Sequence, residues 1–166
     1  VVTGAFAMAA VGAFWTLRGE HPEPARVSLA TGVVAALAAS ILVAMPTGHE
    51  QGRMVAEHQP VTLAAMEGRF ESGPNAPLAM IGQPNVAERR LDNPILLPSV
   101  LSFIAYGDFS ANVRGLTEFP ESDWPDNIEL LYYALDIMVG LGTIFLAVAG
   151  LATLLLWRRK LTSSRW

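Results

Sequence analysis

The sequence predicts an all-α membrane protein: three transmembrane helices of a larger helical bundle, with a long extracytoplasmic loop between the second and third. Composition, segregation and charge placement each point there. Of the 166 residues, 52% are hydrophobic and 16% charged, a charged share well below the ~25% of ordinary soluble domains. The apolar residues are also segregated. Positions 1–17 carry no charge, 29–45 nothing ionisable, and 134–157 only Asp136. Each run approaches or exceeds the ~18–20 residues a spanning helix needs. The Arg and Lys residues sit at the ends of these runs. Arg18 and Arg26 flank the short connection "RGEHPEPAR", and Arg158, Arg159, Lys160 and Arg165 follow the last run.

Taken in order, the first helix covers 1–18, and its start at Val1, with neither an initiator Met nor a basic flank, reads as part of a longer protein. A cytoplasmic turn follows at 19–26, where Gly19, Pro22 and Pro24 stop one helix before the next begins near Val27. The second helix spans 27–46 and is rich in Ala and other small residues, as close packing in lipid favours. "MPTGHEQG" is expected to break it. Residues 47–126 form the long loop, with five Arg against eleven Asp and Glu, a balance of 5 − 11 = −6. The third helix spans 127–157 and a basic tail covers 158–166. The positive-inside rule puts the turn and tail in the cytoplasm and the loop outside.

Within the loop, "EHQPVTLAAMEGRF" reads as a short helix, with Pro60 in its first turn and Gly68 placed to end it. "ESGPNAPLAMIGQPNVAERRLDNPILLPS" should be irregular or extended. "SVLSFIAYGDF" is apolar enough to dip into the membrane surface or to pack on helices. "FPESDWPDN" is a turn-rich lead into the last helix, with Trp124, Tyr132 and Tyr133 placed as an aromatic belt. So long a loop, with apolar islands of its own, reads as a functional cover.

Much chemistry is excluded. No Cys means no disulfide, thiolate metal site or Cys nucleophile, and a net charge of −4 gives no reason to expect nucleic acid. His21, His49 and His58 make no metal signature, since His49 and His58 are nine apart across an expected bend. Asp136 lies in or at the edge of the third span, where a carboxylate is either functional or interfacial. Met138 reads as core filler or as an axial haem ligand. If 59–68 is helical, Leu63, Met66 and Phe70 form an apolar stripe with Glu67 at its edge. Glu67 is then either an ordinary exposed helix carboxylate or one held against apolar surface and able to accept a proton near neutral pH.

Four stretches in this order, "TGAFAMAAVGAFWTLRGEH", "GRMVAEHQPVTLAAMEG", "LPSVLSFIAYGDF" and "IMVGLG", closely resemble subunit I of the cytochrome bd-type quinol oxidases. The resemblance covers nearly all of this chain and about a third of such a subunit. It implies a respiratory terminal oxidase of a bacterial or archaeal cytoplasmic membrane, which oxidises a membrane quinol in its extracytoplasmic loop and reduces dioxygen to water. Electrons would pass through a low-spin haem b, with a second haem b and haem d elsewhere in the full subunit. A second oxidase subunit and the lipid bilayer are the other implied partners. The resemblance makes Met138 a ligand of the low-spin haem iron, its His partner falling upstream of Val1, and makes Glu67 the catalytic loop glutamate. His58, Gln59 and Thr62 join Glu67 as substrate-binding residues on polarity and position. Thr62 stands where the family commonly has Lys, His49 where it often has Asp, and Asp136 where it commonly has Arg. The competing readings are a haem-less degenerate homologue and a membrane-anchored receptor or assembly protein with an acidic binding loop.

Overall fold

The computed structural model describes residues 1–158; Arg159, Lys160 and Arg165 lie outside the described residues. The described chain is mostly helical and divides into two compact units, Val1–Pro46 with the chain from Leu141 onward, and Thr47–Gly140.

The first unit is built on α1 (Val2–Arg18) and α2 (Pro22–Leu42). Small residues let the two backbones touch. A β-carbon on Gly12 would run into Leu29 N, and one on Gly32 into Ala9 N. Ala5, Ala36 and Ala149 form the buried cluster here. Gly19 ends α1 in the left-handed conformation at φ 71°, its N–H donating to Thr16 O. The two prolines do not extend the turn as expected: Pro22 opens α2, and the helix starts five residues before Val27. Proline is tolerated in a first turn because its missing N–H would have no partner there.

The expected break at "MPTGHEQG" is also absent. A π-helical stretch, Val43–Thr47, contains Pro46 and leads directly into α3 (Gly48–His58), giving one continuous helix, Pro22–His58. One wide turn absorbs the residue that cannot donate to the ladder. This helix and α6 (Ile128–Trp157) are the two among the described residues long and apolar enough to cross a membrane, while α1 is apolar but 17 residues long.

In the second unit, α4 (Pro60–Met66) follows α3 after the single residue Gln59. The chain then forms an antiparallel hairpin, β1 (Leu78–Asn85) and β2 (Arg90–Leu97). This corrects the all-α expectation. The segment, expected to be irregular or extended, is extended over these two stretches, and its prolines hid the pairing. In a two-stranded ribbon each strand is an edge, so a proline can face away from its partner. Pairing slips near Gly82, where Leu91 Cγ would lie 2.7 Å from a β-carbon. The tip closes through Arg89 N–H to Val86 O and Glu88 N–H to Asn85 Oδ1, with Arg89 at φ 52°.

Next, α5 (Val100–Tyr106) packs on α3, and the Tyr106 hydroxyl reaches Ala56 O at 3.5 Å. Buried Ser102 joins two strands of loop by accepting from Ala76 N at 2.7 Å and donating to Ala111 O at 2.8 Å. The main core holds Ala64, Ala65, Phe70, Leu116 and Ile128, with Trp124 packed against it. The face of α4 that is most buried is therefore Ala64 and Ala65, while Leu63 and Met66 are only half-buried. Trp124 packs inward against this core. Its indole N–H donates to Leu116 O and Phe119 O, and its ring meets Phe70 edge-on at 6.4 Å.

Candidate functional site

Glu67 sits at the C-cap of α4. Gly68 at φ 58° reverses the chain there, donating its N–H to Ala65 O, while Arg69 N–H donates to Ala64 O. This is the paired closure that a left-handed glycine permits at a helix end. It leaves the Glu67 carboxyl half-buried beside the core rather than on an open helix surface.

Across from this turn stands α6. Its first turn is capped by Asn127, whose Oδ1 accepts from Leu130 N at 2.9 Å. One turn on, Tyr132 is 1% exposed and lies against Gly68. Its hydroxyl is buried and faces the carboxylate of Asp136 on the same helix. Asp136 lies a further turn along, on the same face by the i, i+4 rule, and its carboxylate acts on both Tyr132 and Glu67. Burial pushes the Glu67 carboxyl up to about 7, and the like charge of Asp136 pushes in the same direction. A carboxyl with that affinity exchanges a proton near neutral pH.

The other expected site residues do not converge on this carboxyl. His58 ends α3 with its ring Nδ1 3.0 Å from Met54 O, and Gln59 is the exposed hinge into α4. Both line a separate groove of about 170 Å³ with Gln51, Met54 and Val55. Thr62 is half-buried on α4, five residues before Glu67 and so ~140° around the helix from it. His49 and His58 share one helix, α3, rather than flanking a bend, and nine residues put them on opposite faces. Tyr132 is the residue that sequence reasoning placed wrongly, in an aromatic belt. Its spacing of four from Asp136 was the available signal.

Met138 is two residues beyond Asp136, hence on a different face of α6, and is 62% exposed among Ile137 and Leu141, also exposed. A thioether on an apolar helix face suits one axial position of a haem iron. Among the described residues no cluster of three or more His, Cys, Asp or Glu is arranged to hold a metal ion.

The family model of cytochrome bd terminal oxidase subunit I matches residues 1–166. The chain belongs to that family. A Bacillus subtilis (strain 168) protein provisionally named cytochrome bd menaquinol oxidase subunit I is 32% identical over 169 residues, spanning 99% of this chain and 37% of its own length. The cytochrome bd ubiquinol oxidase subunit 1 of the same organism is 29% identical over 175 residues, again covering 37% of that protein. The bd oxidase structure from Geobacillus thermodenitrificans superposes with a TM-score of 0.81 at 30% identity, covering 92% of this chain and 34% of that one. This member of the bd oxidase subunit I family thus spans a little over a third of the relatives it matches. As a cytochrome family, its members are haem proteins, and its bacterial homologues are membrane proteins.

Proposed function

We propose that this chain is the quinol-oxidising part of a cytochrome bd-type oxidase subunit I, with Glu67 as the group that accepts a proton from the quinol hydroxyl. The observation that carries this reading is the half-buried carboxyl of Glu67, held near pH 7 beside Tyr132 and Asp136. A base poised at the working pH combines a useful ionised fraction with a useful driving force for taking the proton. The Gly68 turn fixes where that carboxyl stands, and the hairpin residue Leu91 closes over the turn. His58 and Gln59 offer hydrogen bonds to substrate from their own groove, and Thr62 adds a hydroxyl on α4.

In this reading α1, α2 and α6 are three transmembrane segments, and residues 47–126, α3 included, lie on the extracytoplasmic side of a bacterial or archaeal membrane. Each oxidised quinol releases two protons and two electrons. Met138 would hold one side of a low-spin haem b, which when bound supplies a one-electron acceptor of raised potential. The second haem b, haem d, dioxygen reduction and the second subunit belong to the remainder of the complex.

A haem-less homologue is the second reading, and its ground is the two departures from the family pattern at Thr62 and Asp136. A reduced-minus-oxidised visible spectrum of the full-length protein in membranes, with quinol-dependent oxygen uptake, separates the two. A low-spin haem b signal with uptake is expected; a flat spectrum without uptake refutes the oxidase reading.

A further inference from the structure

We propose that the β1–β2 hairpin is a strap across the turn that carries Glu67, latched at its tip by Arg89, and that quinol reaches the turn when the latch is released. The inference rests on the reading of Glu67 as proton acceptor.

Two side chains close on that turn. A β-carbon on Gly68 would stand 3.0 Å from Leu91 Cδ1 and 3.0 Å from Tyr132 Cδ2. Tyr132 is 1% exposed and belongs to the 30-residue helix α6, so that wall of the turn is fixed. Leu91 comes from a ribbon of two strands with no third to brace it, and such a ribbon is marginal unless other contacts hold it. Gly82 gives Leu91 its reach. It stands on β1 where the pairing slips, and a β-carbon there would lie 2.7 Å from Leu91 Cγ. Leu91 therefore lies across its own ribbon and onto Gly68. Of the two walls, the hairpin is the one that can move.

The ribbon is held unequally along its length. At its base, Leu78 packs on the buried cluster of Ala76, Leu101 and Val113. At its tip, Val86 touches the main core, but a cavity of about 680 Å³ opens between Val86, Ala87 and Arg89 on one side and Glu121, Trp124 and Asn127 on the other. Arg89 bridges it. Its guanidinium pairs with the Glu121 carboxylate and stands 5.8 Å from the centre of the Trp124 ring, which is itself fixed by the indole bonds to Leu116 O and Phe119 O. Arg90 takes no part, being paired within the hairpin to Glu88 and Asp92. The Arg89 and Glu121 side chains are 54% and 66% exposed, so their attraction is weak and is screened by salt. With the cation–π contact it favours the closed strap by on the order of ten-fold. A latch of that strength keeps the turn covered and still releases in every turnover.

A substrate that binds only the open form binds more weakly in proportion to the open fraction. Loosening the latch should therefore lower the KM for quinol and leave kcat alone, while locking it should stop access. Both are measured on the complete oxidase with tetramethyl-1,4-benzoquinol. This chain has no Cys, so Arg89→Cys with Glu121→Cys puts one thiol on each side of the cavity for joining by a bis-methanethiosulfonate. Joining should cut turnover by about ten-fold or more with the haem spectrum intact, and dithiothreitol, removed before assay, should restore it. Each single-Cys variant, treated alike, should keep parental turnover. In Arg89→Gln the KM should fall several-fold at low salt and no further in ~0.5 M KCl, whereas the parental KM should fall on adding the salt. Turnover that survives joining overturns the strap, as does an Arg89→Gln KM equal to the parental one at both salt concentrations. The two readings fail separately. Parental turnover in Glu67→Gln removes the proton acceptor whatever joining does, while turnover lost in Glu67→Gln but kept after joining removes the strap alone.

Discussion

A β-carbon on Gly68 would lie 3.0 Å from Cδ2 of Tyr132, so the start of α6 closes on the turn that carries Glu67. The carboxyl's surroundings are therefore set jointly by the turn that ends its own helix and by a contact with a residue 64 positions further along the chain.

Gly68→Ala tests that contact. Its φ of 58° is left-handed, which costs a non-glycine residue roughly 1–2 kcal/mol, and the new methyl would press on Tyr132 and Leu91. Thermal unfolding of the full-length protein in detergent should shift down by a few degrees. The acid limb of quinol oxidation should move as well, because the wedge beside Glu67 is displaced.

Stability should depend on pH through Glu67. Its carboxyl is raised from 4.5 to about 7 in the folded chain, so between those values the native state binds more protons than the unfolded one. Its contribution is then fully present below pH 4.5 and lost as pH rises through 7, up to about 3 kcal/mol in all. Glu67→Gln cannot titrate. Melting curves across pH should show the variant gaining on the parent between pH 4.5 and 7 and keeping a constant lead above.

Asp136→Asn removes the like charge that helps to raise Glu67. The ionised form of Glu67 becomes easier to reach, and the acid limb should move down by a fraction of a pH unit, since burial is the larger cause.

Met138→Leu should remove the normal low-spin haem spectrum while leaving the helix in place. Leu and Met have similar volume and helix propensity, and Met138 is 62% exposed, so little packing depends on it. An unaltered spectrum in the complete oxidase would exclude ligation.

The features legible in the sequence were those with local causes. Pro60 and Gly68 bracket α4 because one residue needs no N–H and the other tolerates a left-handed turn. The apolar runs mark the long helices because burial in lipid demands continuous apolar length. What escaped was non-local. Pro46 reads as a breaker, yet a π turn carries the helix through it to His58. Pro84 and Pro94 argue against strands, yet a two-stranded ribbon has room for both. Tyr132 reads as an interfacial aromatic, and only its contact with Gly68 reveals it as buried beside Glu67. The apolar stripe left Glu67 readable either as an exposed helix carboxylate or as a proton acceptor, and the resemblance of "LAAMEG" to the family singled it out. Its elevated proton affinity depends on burial and on Asp136 across the fold.

The most direct measurement is quinol oxidation by the complete oxidase carrying Glu67→Gln, with the reduced-minus-oxidised spectrum recorded on the same preparation. The account predicts turnover lower by ~100-fold, the usual scale for losing a general base, with the haem spectrum intact. Parental turnover with an intact spectrum would contradict it.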